Sequence, residues 1–206
     1  MSLKAEGAGL VIIIDDDQSV RRALEGLFQS VGLLAASYAS VPDYLAANRP
    51  DSAGCIVLDI RLPGQSGLEF QEALARGGHT RSTVLISAHV DVQMAVRAMK
   101  AGAIDVLTKP VREQDLLEAV NRGLTQDRHR REQAAHDALL RSRFDTLTER
   151  ERQVLTLVAA GLLNKQIAQR VNVTEATVKL HRSQVMRKME ANSVADLVRM
   201  ADRLAS

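Results

Sequence analysis

Aromatic side chains are scarce in this chain of 206 residues: tryptophan is absent, and two tyrosines and three phenylalanines make up the 2% present. Hydrophobic residues still reach 46%, enough for real cores, so those cores must be aliphatic. Cysteine occurs once, as Cys55, which excludes an internal disulfide; inside an apolar run it reads as core and not as a redox centre. Long apolar runs are missing too. The longest, such as Val154 to Leu163, fall short of the roughly 20 residues needed to span a bilayer, so no membrane partner is expected. No apolar segment follows a basic start, and the expected compartment is the cytoplasm.

What is present divides the chain in two. Residues 1–125 carry 12 Lys and Arg against 15 Asp and Glu, whereas residues 126–206 carry 15 against 10. An acidic half joined to a basic one suggests two domains with different partners, nucleic acid being a candidate for the basic one.

Up to about Val120, strand and helix signals alternate. Apolar runs at Leu10–Ile14, Ile56–Leu58, Thr83–Ile86 and Ile104–Leu107 read as strands, with a weaker one near Leu33–Ser37. Between them the spacing predicts helices at Gln18–Val31, one opened by Ser40 with Pro42 in its first turn, Gly67–Ala75 after a Ser66/Glu69 capping box, and Val90–Ala101. A Gly77-Gly78 loop precedes the fourth strand, and a last helix starts near Arg112. Five β-α units imply a parallel sheet with helices on both faces. That last helix has no firm stop: Leu116, Leu117, Val120 and Leu124 keep helical spacing, and Gln126 to Arg143 is polar and free of proline. It reads as one long linker helix, although Gly123 is a possible break and a flexible tether is the alternative. From Leu147 onward everything is helical: a Thr148/Glu151 capping box, helices at Asn164–Val171 and Glu175–Met189, and a last one opened by Ser193 with Asp196. The expected domains are therefore 1–122, a linker at 123–143, and 144–206.

The chemistry gathers at strand ends. Asp59 closes one apolar strand, and Asp15, Asp16 and Asp17 follow another. A strand-end Asp can simply cap a loop, and three acids in a row can be a solvated turn. Two parallel strands ending in acid, however, place their carboxylates in the crevice where open α/β sheets bind ligands. Such charges resist joint ionisation, and a hard divalent cation with oxygen ligands, Mg²⁺ or Mn²⁺, relieves them. A carboxylate there can then act as nucleophile toward a phosphoryl group. Ser87 and Lys109, each ending a further strand, add a hydroxyl and a counter-charge. A nucleotide or flavin phosphate site is excluded, because the first strand leads into three anions where a Gly/Ser-rich loop would be needed. A haloacid-dehalogenase-type phosphatase would carry a second Asp where Arg61 stands.

With these residues, positions 10 to about 122 resemble the receiver domain of two-component response regulators, the CheY-like, flavodoxin-like fold. The resemblance rests on the acid pair after the first strand, Asp59 with Pro63 four residues on, the strand-four hydroxyl, and Lys109-Pro110. It implies that Asp59 accepts the phosphoryl group, that Asp16 and Asp59 bind the metal directly and Asp15 through water, and that the Arg61 backbone carbonyl completes the protein ligands. Ser87 and Lys109 would hold the phosphoryl oxygens, and the Lys109-Pro110 bond would be cis. The family often has an aromatic switch residue on strand five; Val106 stands there instead.

In the second domain, the helix at 175–189 carries Val178, Val185 and Met189 on one stripe, with Ala176, Lys179, Leu180, Ser183 and Arg187 opposite. That basic face of short side chains suits a major groove, or is the solvated face of an ordinary amphipathic helix. Leu147-Thr-x-Arg-Glu, Gly161-x-x-Asn-Lys-x-Ile-Ala168 and Thr177-Val-Lys-x-His-Arg182 resemble the LuxR-type module of FixJ/NarL response regulators, with its helix-turn-helix at about 164–183. The resemblance implies base contacts from Lys179, Leu180 and Ser183. It implies phosphate contacts from Lys165, Thr174, His181, Arg182 and Lys188, and a dimer contact from Val194, Leu197, Val198 and Ala201. A sensor histidine kinase, a double-stranded DNA operator, RNA polymerase and a second copy of the chain on phosphorylation would be the partners. The chain would be a regulator and not an enzyme, beyond a slow self-catalysed loss of its phosphoryl group. A constitutive DNA binder with a dimerisation-only receiver, or a phosphate sink, is the alternative.

Overall fold

The computed structural model describes residues 9–47, 54–77 and 81–205; Gly78 of the expected loop lies outside them. The chain forms two compact units, one up to Arg131 and one from Glu132.

In the first unit, strands β1 (Leu10–Ile14), β2 (Leu34–Tyr38), β3 (Gly54–Asp59), β4 (Ser82–Ser87) and β5 (Asp105–Thr108) make one parallel sheet in the order β2-β1-β3-β4-β5. Helices α1 (Gln18–Ser30), α2 (Val41–Ala46), α3 (Gly67–Arg76), α4 (Val92–Lys100) and the start of α5 (Glu113–Asp145) connect the strands and follow the last one. This is the expected doubly wound α/β fold. β1, β3 and β4 are buried along their whole length, as strands covered on both faces must be. Alternate side chains feed two aliphatic cores: Ile12, Ile14, Ile56, Leu58 and Leu85 on one face, and Val11, Ile13, Val57, Val84 and Ile86 on the other. Three of the few aromatics cluster on the first face, Tyr44 standing edge-on to Tyr38 at 5.5 Å and to Phe70 at 6.0 Å between ring centres.

Helix α4 begins two residues later than expected, because Asp91 caps it, its Oδ1 accepting from the Met94 N–H at 2.7 Å. The capping box expected at α3 does not form. Ser66 turns back and donates to the Ile60 carbonyl at 3.4 Å, so its hydroxyl is spent on the preceding loop.

Helix α5 is continuous over 33 residues, longer than expected by two at its C-terminal end. Gly123 does not break it; it allows close approach. A Cβ there would lie 2.7 Å from Cys55 Sγ and 3.3 Å from Ser82 Cβ, so any larger residue would push α5 off the sheet. Burial, aided by the nearby Asp127 carboxylate, pushes the Cys55 thiol up to about 12, which leaves it a neutral core residue.

The stretch expected as linker is not free. Leu124 belongs to the first unit's core, and Asp127 is fully buried, accepting from the Gly54 N–H at 2.9 Å and from Arg131 at 2.9 Å, and paired with Arg130. In the second unit, Leu140 and Phe144 of the same helix join the core formed by α6 (Glu149–Ala159), α7 (Asn164–Arg170), α8 (Glu175–Met189) and α9 (Val194–Ala205). Arg152 lies over the Phe144 ring at 5.0 Å. Only the turns around 132–136 are wholly exposed, where Glu, Gln and Ala keep a helix without burial.

For Asp127, burial alone would raise the carboxyl, but the Gly54 N–H and the two arginines outweigh it and hold it below the usual carboxylate value. A depressed native value adds stability above the unfolded carboxyl's pKa, and that stability fades as pH falls through the native one. Asp127→Asn is expected to cost about 1–3 kcal/mol at neutral pH. In denaturant melts at a series of pH values, the gap to wild type should close below about pH 4.

Candidate functional site

At the C-terminal ends of β1 and β3, where the strand order reverses, three carboxylates converge. Oxygens of Asp15, Asp16 and Asp59 all lie within 4.8 Å of one another, with Asp15 and Asp59 buried and Asp16 exposed. Register explains the meeting: Ile14 pairs with Leu58, so the next residue of each strand emerges side by side. Lys109, one residue past β5, reaches across to both, its Nζ 2.7 Å from Asp15 Oδ2 and 2.5 Å from Asp59 Oδ2. The remaining oxygens take backbone donors, Asp15 Oδ1 from the Asp17 N–H and Asp59 Oδ1 from the Arg61 N–H, each at 2.9 Å.

Electrostatics follows from this geometry. Burial pushes the Asp15 carboxyl above its usual value, despite the opposing bonds from Lys109 and Asp17. Burial also lowers Lys109, but its bonds to Asp15 and Asp59 win and hold the ammonium charged above its ordinary value. A raised carboxyl costs stability as pH rises through its native value. A cation bound beside it would relieve that cost. The donors are all carboxylate oxygens, which suits Mg²⁺ or Mn²⁺.

Ser87 is buried at the end of β4, its Oγ donating to the His89 carbonyl at 3.0 Å, and the Lys109 N–H donates to the Ser87 carbonyl at 2.8 Å. Val106 is half-buried on β5 and packs with Met94 against the core on one face of the sheet. The Lys109-Pro110 bond is cis.

Sequence reasoning missed three residues that shape the site. Asp17 is not a ligand candidate but the N-cap of α1, and the Ser19 N–H it accepts at 2.7 Å is the main reason its carboxyl lies below the usual value. Arg21 donates to the carbonyls of Asp15 and Asp16 at 2.7 and 3.0 Å, fixing the acidic turn from one helical turn away. Gly67 lies against the phosphoacceptor candidate: a Cβ there would be 2.1 Å from the Asp59 carbonyl oxygen. Its place just after a Pro-Gly turn was the available signal.

In the second unit, α8 buries Val178, Val185 and Met189 and leaves Ala176, Lys179, Leu180, Ser183 and Arg187 exposed, as the helical wheel requires. Thr174 caps α8, accepting from the Thr177 N–H at 3.2 Å, and Lys165 is exposed on α7. Asn172 takes a left-handed φ of 53° in the turn between the two helices. His181 and Arg182 are half-buried, and Arg182 donates to Asn164 Oδ1 at 2.7 Å, tying α8 to α7.

Two expected roles do not fit. Lys188 is bound at 2.6 Å to Glu151, the carboxylate of the α6 capping box, and at 3.1 Å to the Thr146 carbonyl, so its ammonium serves the module's own fold. Leu197 is 1% exposed within the second unit's core and cannot present a dimer contact; Ala201 packs against that core but stays half-exposed. Val194 is exposed and Val198 half-buried outside that cluster, so these two remain of the expected dimer face together with the half-exposed Ala201.

Added Mg²⁺ is expected to raise the wild-type melting temperature, since binding only the native state stabilises it. Gly67→Ala should cost about 1–3 kcal/mol by overpacking. It should also shrink the Mg²⁺ increment by displacing Asp59. Thermal melts with and without the metal check both.

Residues 11–121 match the family model of the response regulator receiver domain, and residues 145–201 that of bacterial regulatory proteins of the luxR family. Nodulation protein W of Bradyrhizobium diazoefficiens is 47% identical over 98% of this chain and 88% of its own length. Response regulator protein TmoT of Ectopseudomonas mendocina is 43% identical over 95% and 89%. Among solved structures, the response regulator StyR aligns with a TM-score of 0.86 at 43% identity, covering 96% of this chain and all of that one. Full-length FixJ from B. japonicum aligns with a TM-score of 0.57 at 34% identity, over 96% and 97%.

Proposed function

We propose, from the premise that the chain belongs to the two-component response regulators of the FixJ/NarL type, that phosphorylation of Asp59 by a sensor histidine kinase controls its pairing and its binding to a DNA operator. The observation that carries this reading is the single ammonium of Lys109 shared by two buried carboxylates beside a third, exposed one. An Asp59 carboxylate oxygen forms the new bond to phosphorus. The P–N bond to the kinase's phosphohistidine breaks, and its electron pair returns to the imidazole. Lys109 then holds a phosphoryl oxygen, and the Ser87 hydroxyl, now on the His89 carbonyl, can turn to donate to another. Bound Mg²⁺, held by Asp15, Asp16, Asp59 and the Arg61 carbonyl, would supply charge neutralisation for that transfer. Loss of the phosphoryl group to water would be slow and self-catalysed, and the chain otherwise resembles regulators and not enzymes.

Pairing of two receivers is supported by α4, which exposes Val92, Val96 and Met99 at i, i+4 and i+7. Two tethered modules would then gain from adjacent half-sites, reading bases through Lys179, Leu180 and Ser183 and holding phosphates through Lys165, Thr174, His181, Arg182 and Arg187. Val194, Val198 and Ala201 supply the module's own dimer contact. The site of action is the cytoplasm, where operator and RNA polymerase are found; among the described residues no helix is long and apolar enough to cross a membrane.

A small phosphodonor with Mg²⁺ should raise both the dimer fraction and the affinity for DNA fragments from the protein's own genomic neighbourhood. Asp59→Asn should abolish both gains; a modified Asp59→Asn protein would refute the assignment.

On the DNA side, Lys179→Ala is expected to relax discrimination at one base position by about 1–3 kcal/mol. Lys165→Ala should weaken all sequences alike and flatten the salt dependence, having removed one phosphate contact. Binding titrations on operator variants at several salt concentrations separate the two.

A further inference from the structure

Two cations serve the acidic crevice, and they serve it differently. Lys109 bonds the carboxylates of Asp15 and Asp59 themselves. Arg21, near the start of α1, bonds the backbone that carries the acids: its Nη1 donates to the Asp15 carbonyl at 2.7 Å and to the Asp16 carbonyl at 3.0 Å. Its own backbone is fixed, because the Arg21 N–H donates to the Asp17 carbonyl at 3.0 Å in a turn that the Asp17 side chain caps.

The three acids do not depend on that brace equally. Asp15 is held without it, its N–H on the Tyr38 carbonyl, one carboxylate oxygen on the Asp17 N–H and the other on Lys109. Asp59 ends β3 within the sheet and has Lys109 and the Arg61 N–H. Asp16 is exposed, and among the described residues no hydrogen bond reaches its carboxylate. Its direction is therefore set by its backbone, and Arg21 holds the carbonyl of that residue and of the one before it. Groups behind a ligand that fix its orientation are part of a metal site even though they never touch the metal.

We propose that Arg21 is the positioning residue of the metal site, aiming Asp16 at a divalent cation through the peptide backbone. The proposal rests on reading Asp15, Asp16 and Asp59 as ligands of Mg²⁺. Charge and positioning make opposite demands on its test. A guanidinium beside three acids repels a cation, so by charge alone its removal would strengthen Mg²⁺ binding. Loss of a group that orients a ligand weakens metal binding, on the order of tenfold to a hundredfold.

Calorimetric titration with Mg²⁺ alone compares full-length wild type, R21M, D16A and the double variant, at a temperature where circular dichroism shows each to be folded. Methionine keeps the aliphatic stem and loses both charge and donors. R21M should bind Mg²⁺ about tenfold more weakly than wild type or worse. Adding R21M to D16A should weaken binding no further, because the ligand through which Arg21 acts is already gone. Should R21M fail to fold, R21K, whose ammonium ends one bond short of Nη1, takes its place in the same cycle. Binding by R21M as tight as wild type, or tighter, overturns the proposal. An equal loss in both backgrounds also overturns it, by giving Arg21 a general structural role. A wild type that binds no Mg²⁺, or a D16A variant that binds like wild type, removes the metal reading itself; a weakened D16A beside an unchanged R21M fails the proposal alone.

Discussion

One ammonium group between two buried carboxylates organises the first unit. Asp15 and Asp59 come from adjacent strands and Lys109 from beyond the far edge strand, so the three meet only if β1, β3, β4 and β5 are in register. Without the ammonium, two anions would sit at the end of a dry sheet, where burial already pushes Asp15 up. With it, each acid keeps one oxygen on Lys109 and one on a backbone N–H. The site is held together yet remains anionic once Asp16 is counted, a state disposed to take a cation and then a phosphoryl group.

The same residues decided how much was legible in the sequence. Short apolar runs rich in β-branched residues and ended by acids or turn residues read as buried strands, and their parallel order sends every C-terminal end to one edge. Asp15, Asp59, Ser87 and Lys109 were therefore readable as a set before any coordinate. The stripe on α8 was readable for a similar reason, since a 15-residue helix repeats its face four times. What could not be read were choices between partners far apart in sequence. Lys188 has a basic helix face on one side and Glu151, 37 residues away, on the other. Leu197 lies on an apolar stripe broad enough to serve two neighbours, and only packing decides that it turns inward. Ser66 had a helix to cap and a carbonyl to bind, and the fold-back required by Gly67 settled it.

Helix α5 shows how a polar segment can look like a linker and belong to two cores. Its composition from Gln126 onward is that of a solvated helix, which is true of its middle turns. Yet Asp127 grips the start of β3 across 73 residues of sequence, and Leu140 and Phe144 are as much a part of the second unit as α6. A boundary drawn at residue 144 would cut through the second core. The physical division falls where burial lapses, between Arg131 and Leu140.

The scarcity of aromatic residues has an optical consequence. With no tryptophan, the chain's ultraviolet absorption above the phenylalanine band comes from Tyr38 and Tyr44 alone, and both belong to the edge-on cluster in the receiver. Tyr38 also lends its carbonyl to the Asp15 N–H at 3.2 Å, which places this chromophore pair next to the acidic crevice. The second unit holds neither tyrosine nor tryptophan, so tyrosine fluorescence and the tyrosine band of the near-ultraviolet dichroism are signals from the receiver domain, while Phe144 of the second unit contributes only in the phenylalanine band.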